Sequence, residues 1–84
     1  MNITVLTPDN EIFTGAITSV KVPGVDGQFE VLNNHAPIVA ALVQGNVRIT
    51  KEEGGDMNFG IQKGFLEVLN NEVALLVQGV SGLE

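Results

Sequence analysis

An all-β domain, a small antiparallel sandwich or barrel, is what this sequence predicts. Three observations carry the prediction. Several short runs rich in Val, Ile and Thr alternate with a period of two, the spacing at which successive side chains of a strand point to opposite faces. Pro, Gly, Asn and Asp cluster between those runs, where turns are required. Only Ala36–Val43 has a spacing that a helix could share, and it is too short and too β-branched to make a stable one.

In chain order, Ile3, Val5 and Thr7 alternate with Asn2, Thr4 and Leu6, and Pro8-Asp9-Asn10 ends that run. Thr18, Val20 and Val22 alternate with Ile17, Ser19 and Lys21, so the three form one face of a second strand. Pro23-Gly24 and Asp26-Gly27 then read as a glycine-rich loop, followed by Asn33-Asn34. Pro37 fits a first helical turn or an edge strand, and Ala36–Val43 reads as a strand entered through a turn. Val47 and Ile49 alternate with Asn46, Arg48 and Thr50. Gly54-Gly55-Asp56 and Asn70-Asn71 can supply the positive φ of tight turns, and Val73, Leu75 and Val77 alternate with Glu72, Ala74 and Leu76. Glu30-Val31-Leu32-Asn33-Asn34 recurs as Glu67-Val68-Leu69-Asn70-Asn71. With two copies and unequal offsets this reads as repeated turn chemistry and not as a solenoid.

The 84 residues make one domain. No cysteine is present, so neither a disulfide nor a thiolate zinc site supports the fold. The 44% of hydrophobic residues must supply a dense core instead. Of the four aromatics, all Phe, Phe65 in particular reads as core. The formal charge is −6, with Lys21, Arg48, Lys51 and Lys63 as the only bases. That balance repels phosphate, which argues against nucleic-acid partners and against anionic lipid surfaces. No apolar run has the length of a membrane span, and no signal-peptide pattern opens the chain. The expectation is a soluble cytoplasmic chain with no direct lipid insertion, peripheral to a membrane only through another protein.

The residues do not assemble into an enzyme. His35 is the single histidine, and neither Ser19 nor Ser81 lies in a nucleophile-elbow context. Asp26, Glu30 and His35 have no metal-ligand register, and Glu52, Glu53 and Asp56 beside two glycines lack the alternating oxygen ligands of a calcium loop. Gly24-Val25-Asp26-Gly27 is neither a Walker loop nor a dinucleotide fingerprint. No catalytic residue, metal or cofactor is expected. A lipoyl or biotinyl carrier domain is the alternative from another class, being acidic, all-β and of this size. It would display a lysine at a hairpin tip, and Lys21, Lys51 and Lys63 are not in such a setting.

One stretch carries a family resemblance. Pro23-Gly24, Gly27-Gln28-Phe29, His35-Ala36-Pro37, and Gly45 before Arg48-Ile49 occur in order. Thr7-Pro8 and Phe13-Thr14-Gly15 precede them, and Gly64-Phe65-Leu66-Glu67-Val68 with Asn71 and Val73 follows. Together these resemble the epsilon subunit of F-type ATP synthases over about residues 3–78. Glu30 and Asn33 depart from it, since many relatives carry Gly, or Pro or Gly, at those positions. The resemblance implies a flattened β-sandwich over residues 1–82 and a non-catalytic place in the rotating central stalk, between the gamma subunit and the ring of c subunits. Family members usually continue into two C-terminal helices with a nucleotide-contacting motif. This sequence stops after Val80-Ser81-Gly82, which reads as either a naturally short epsilon or an isolated domain; no ATP binding is expected of it, and Leu83-Glu84 reads as a disordered tag remnant.

The partner surface follows from the same stretch. Val25, Phe29, Ile38 and Val39 are apolar in and after the two loops, where polar residues are the rule. Residues 24–38 are therefore expected to contact gamma and the c-ring through Val25, Asp26, Gln28, Phe29, His35, Ala36, Pro37 and Ile38. Phe29 and Ile38 read either as central anchors of that surface or as core residues, and Asp26, Gln28 and His35 form the polar rim. Gln28 lies where relatives direct an acidic or polar residue to the ring. The His35 imidazole has a competing task, bonding a loop carbonyl to fix its own turn.

Overall fold

The computed structural model describes residues 1–83; Glu84, half of the expected tag remnant, lies outside the described residues. Among them are eight strands and no helix. The strands are β1 (Asn2–Leu6), β2 (Glu11–Gly24), β3 (Gly27–Leu32), β4 (Ile38–Leu42), β5 (Gly45–Lys51), β6 (Asp56–Ile61), β7 (Lys63–Leu69) and β8 (Glu72–Gln78). They form a β-sandwich, as the alternation and turn residues require.

β2 belongs to both layers. Its first residues, Glu11 to Ala16, pair antiparallel with β1. β1 runs parallel to β8, β8 pairs antiparallel with β7, and β7 with β4. The remainder of β2, from Ile17 to Gly24, lies between β3 and β5, and β5 pairs onward with β6. The first layer is thus β2-β1-β8-β7-β4 and the second β3-β2-β5-β6, and a pairing of Gly24 with Leu42 brings β4 back against the end of β2.

A β-bulge makes the crossing between layers. Ile17 pairs with Lys51 and Ser19 with Thr50, which leaves Thr18 as an extra residue. A bulge bends its strand, sharpens the twist and shifts the inward phase by one. Ile17 is buried, Thr18 exposed, and Val20 and Val22 buried. Strict alternation put Thr18 on the face of Val20 and Val22. The bulge takes it out, because a strand serving two layers must change the face it turns inward.

The core lies between the layers. Ile3 and Val5 of β1, Leu66 and Val68 of β7, and Val73, Leu75 and Val77 of β8 meet Val20, Val22, Val31, Val47, Ile49, Phe59 and Ile61. The alternation read for β1, β5 and β8 is the one observed. Three strands, β3, β6 and β7, had no alternating run in the sequence reading. β6 carries the core residue Phe59, and β3 occupies the stretch between the glycine-rich loop and Asn33-Asn34. β3 forms because Val25-Asp26 makes a two-residue turn, closed by the pairing of Gly24 with Gly27, which has a φ of 125°. Only glycine takes that φ without strain.

The two Asn-Asn sequences are both turns. Asn34 has φ 65°, and Asn70 and Asn71 have φ 50° and 65°, the left-handed pair of a type I′ hairpin. The repeated turns also pack on each other: Asn34 N–H donates to Asn71 Oδ1 at 2.8 Å.

Candidate docking surface

The outward positions of the two layers differ in chemistry. On the second layer, register aligns Glu30, Lys21, Arg48 and Asn58 in one row across β3, β2, β5 and β6. Arg48 Nε and Nη2 both donate to Asp56 Oδ2, at 3.1 and 2.5 Å. That hydrogen bond, reinforced by the guanidinium charge, holds the Asp56 carboxyl below its ordinary range. This row is solvated and polar.

The first layer is its opposite. Leu6, Leu76, Phe65 and Ala41 are cross-strand partners in one row over β1, β8, β7 and β4. The next row is Thr4, Ala74, Glu67 and Val39. With adjacent strands about 4.8 Å apart, each row runs about 14 Å. Val39 is 72% exposed, Phe65 58% and Leu76 50%. An open groove of about 510 Å³ runs along this face, lined among others by Leu6, Pro8, Ala41, Phe65, Leu76 and Gln78. Phe65 therefore departs from expectation. The core aromatic is Phe59, at 1% exposure, while Phe65 occupies the outward phase of β7 between the buried Leu66 and the inward-phase Gly64.

The predicted surface over residues 24–38 divides in two. Val25, Asp26 and Gln28 are exposed at the β2–β3 turn. Val25 N–H donates to the Ala41 carbonyl at 3.3 Å, so the 62%-exposed Val25 extends the apolar row at its β4 end. Asn33 to Pro37 lie at the other end of β4, where Ile38 pairs with Val68. There the His35 Nδ1–H donates to the Ala36 carbonyl at 2.7 Å and the His35 N–H to the Leu32 carbonyl, the turn-fixing geometry. Ala36 and Pro37 are exposed. Phe29 and Ile38 are only partly exposed and pack against the core; a Cβ added at Gly24 would come within 2.8 Å of the Phe29 ring. Both are sandwich edges more than free anchors.

The residues that sequence reasoning missed are Leu6, Ala41, Phe65 and Leu76. Their signal was present: β8 reads Val-Ala-Leu-Leu-Val, apolar on both of its faces, and a strand apolar on both faces is covered on both. No three His, Asp or Glu side chains among the described residues group to hold a metal ion.

A largely apolar sheet face on an otherwise acidic small β-sandwich is the kind of surface that protein-docking modules carry. The comparisons with known proteins give the particular kind. The family described as the ATP synthase delta/epsilon chain β-sandwich domain matches residues 1–81, and the chain belongs to that family. It is 42% identical over 77 residues to the ATP synthase epsilon chain of Chlorobium limicola and 43% identical to that of Chlorobaculum tepidum, covering 92% of this chain and 88% of each relative. The epsilon chain of Protochlamydia amoebophila is 34% identical, and this chain spans 56% of its length. Among solved structures, a chain of the Euglena gracilis mitochondrial ATP synthase superposes with a TM-score of 0.84 at 20% identity, over 94% of this chain and 51% of that one. A chain of the Tetrahymena thermophila central stalk and c-ring gives 0.77 at 21% identity. At those identities the superpositions speak for the fold.

Proposed function

We propose that this chain is a non-catalytic subunit of the central stalk of an F-type ATP synthase, linking the gamma subunit to the c-ring and helping to couple proton flow to ATP synthesis. It sits at the cytoplasmic face of the membrane and reaches it only through the complex. The observation that carries the reading is the apolar row Leu6–Leu76–Phe65–Ala41, continued by Val25. In an 84-residue domain, this many exposed aliphatic and aromatic side chains on one face are supported by a permanent partner. Gamma is assigned to this face. The β2–β3 turn, with Asp26 and Gln28 exposed at its tip, is assigned to the polar loops of the c-ring. A sandwich packed at crystal-like density is stiff enough to transmit torque between the two.

The site set narrows accordingly. Val25, Asp26 and Gln28 remain contact residues. His35, Ala36 and Pro37 shape the turn at the far end of β4, and Phe29 and Ile38 brace the edges of the core.

Copurification of the assembled complex tests the reading. Phe65→Asp and Val39→Asp should leave the isolated chain folded, with an unchanged far-ultraviolet circular dichroism spectrum. Each should weaken association with gamma by more than about 2 kcal/mol. Association at unchanged affinity in both variants would refute the assignment of this face.

A further inference from the structure

We propose that Glu67 is the ionic register point of the docking face, and that the surface covering Phe65, Leu76 and Val39 sets one lysine or arginine against its carboxylate. The inference rests on the reading that this face docks on gamma, and names the chemistry gamma must bring.

Glu67 sits within the apolar rows. Its cross-strand neighbours are Val39 on β4 and Ala74 on β8, and Phe65 and Leu69 precede and follow it on the same face of β7. Ala41 and Leu76 stand diagonally, near enough for a covering surface to bury them together with the carboxylate. Glu72, the diagonal neighbour toward the rim, adds a second negative charge, and one of its oxygens accepts a hydrogen bond from Asn2 Nδ2 at 3.2 Å.

Among the described residues, none supplies a cation to Glu67. The ion pair among the described residues is Arg48 with Asp56, on the opposite outer face. Lys21 is the cross-strand neighbour of Arg48 there, and Lys51 lies over the Phe13 ring, 5.4 Å from its centroid. Lys63 is on the same face of β7 but four residues away, about 13 Å by strand rise, and makes no ion pair with Glu67.

In the free chain, water solvates the exposed carboxylate. When an apolar surface covers its neighbours, that water is removed, and a carboxylate buried without a partner carries a large desolvation penalty. A lysine or arginine placed opposite offsets the penalty, and it does so at one alignment of the two surfaces. Apolar rows alone permit sliding. The Glu67 charge within the apolar rows selects a register and rejects partners lacking the cation.

The two possibilities predict effects of opposite sign. If a cation faces Glu67, the isosteric Glu67→Gln leaves that cation buried and unpaired, and affinity falls. If none does, the same change removes an unpaired charge, and affinity holds or rises. The experiment is calorimetric titration of the folded full chain with purified gamma subunit, comparing Glu67→Gln, Glu67→Lys, Phe65→Asp and Glu30→Gln, the last removing one unit of charge from the opposite face. The expected result is a loss of about tenfold or more for Glu67→Gln, a larger loss for Glu67→Lys, and a much smaller change for Glu30→Gln. Unchanged or tighter binding of Glu67→Gln, or an equal loss in Glu30→Gln, overturns the ionic register while Phe65→Asp still abolishes binding. Normal binding of Phe65→Asp overturns the docking reading and this proposal with it.

Discussion

Truncating Phe59 and Phe65 to alanine should affect stability very differently, although a count of aromatic residues treats them alike. Phe59 is 1% exposed and packs among the core valines and isoleucines. Its loss leaves a cavity, at about 3–5 kcal/mol for a buried Phe→Ala change. Against the roughly 5–15 kcal/mol of a whole domain, that removes much of the total. At about 4–8 °C per kcal/mol for a domain of this size, Phe59→Ala should melt roughly 12–40 °C lower than the parent. Phe65 is 58% exposed, so only about two fifths of its surface is covered in the free chain. A fully buried Phe contributes about 1.5–3 kcal/mol. Phe65→Ala should then cost about 1 kcal/mol, a shift of roughly 4–8 °C. With no Trp or Tyr in the sequence, thermal unfolding is best followed by far-ultraviolet circular dichroism. Equal losses in the two variants would mean that the Phe65 ring is part of the core, and the docking face would lose its centre.

Three further outcomes are expected. Gly64→Ala should destabilise the chain by about 1–3 kcal/mol in chemical denaturation, because its Cβ would meet the Leu76 carbonyl oxygen at 2.5 Å; a neutral result would place β7 and β8 further apart than described. At the Asn70-Asn71 turn, the order of melting temperature should be parent, then Asn71→Gly, then Asn71→Ala. Glycine keeps the φ of 65° but loses the acceptor for Asn34 N–H, and alanine loses both, at about 2 kcal/mol in all. The Asp56 carboxyl, held low chiefly by the Arg48 hydrogen bond, should titrate below the ordinary aspartate range by NMR and return toward it in Arg48→Met. A carboxylate depressed in the folded state stabilises above its unfolded pKa, and the contribution disappears as pH falls through the folded value. Removing Arg48 should therefore change stability at neutral pH and leave the strongly acid limit unchanged.

The docking face and the sandwich core obey the same alternation, and this is why one was legible in sequence and the other was not. In β8, Val73, Leu75 and Val77 pointed to a buried face at once. Leu76 between them reads equally as a loose strand residue or as half of a second apolar face. Only the cross-strand register, which sets it beside Phe65 and Leu6, makes it part of a surface. Adjacency between strands distant in sequence is a tertiary fact, and neither period nor composition encodes it.

The sequence by itself settled the all-β sandwich, because strand period and turn residues are local properties. It also contained the family, through short motifs in fixed order. Three matters were decided only in three dimensions. The Thr18 bulge lets β2 serve both layers, since a one-residue slip appears only when two strands are paired. The β2–β3 turn and the His35 turn lie at opposite ends of β4, although ten residues of chain separate them. Glu67 lies amid apolar neighbours from three strands, and only folding brings a carboxylate in one strand under the influence of residues contributed by two others. Local forces choose the elements, but the surface a partner meets is a sum over elements that packing alone places side by side.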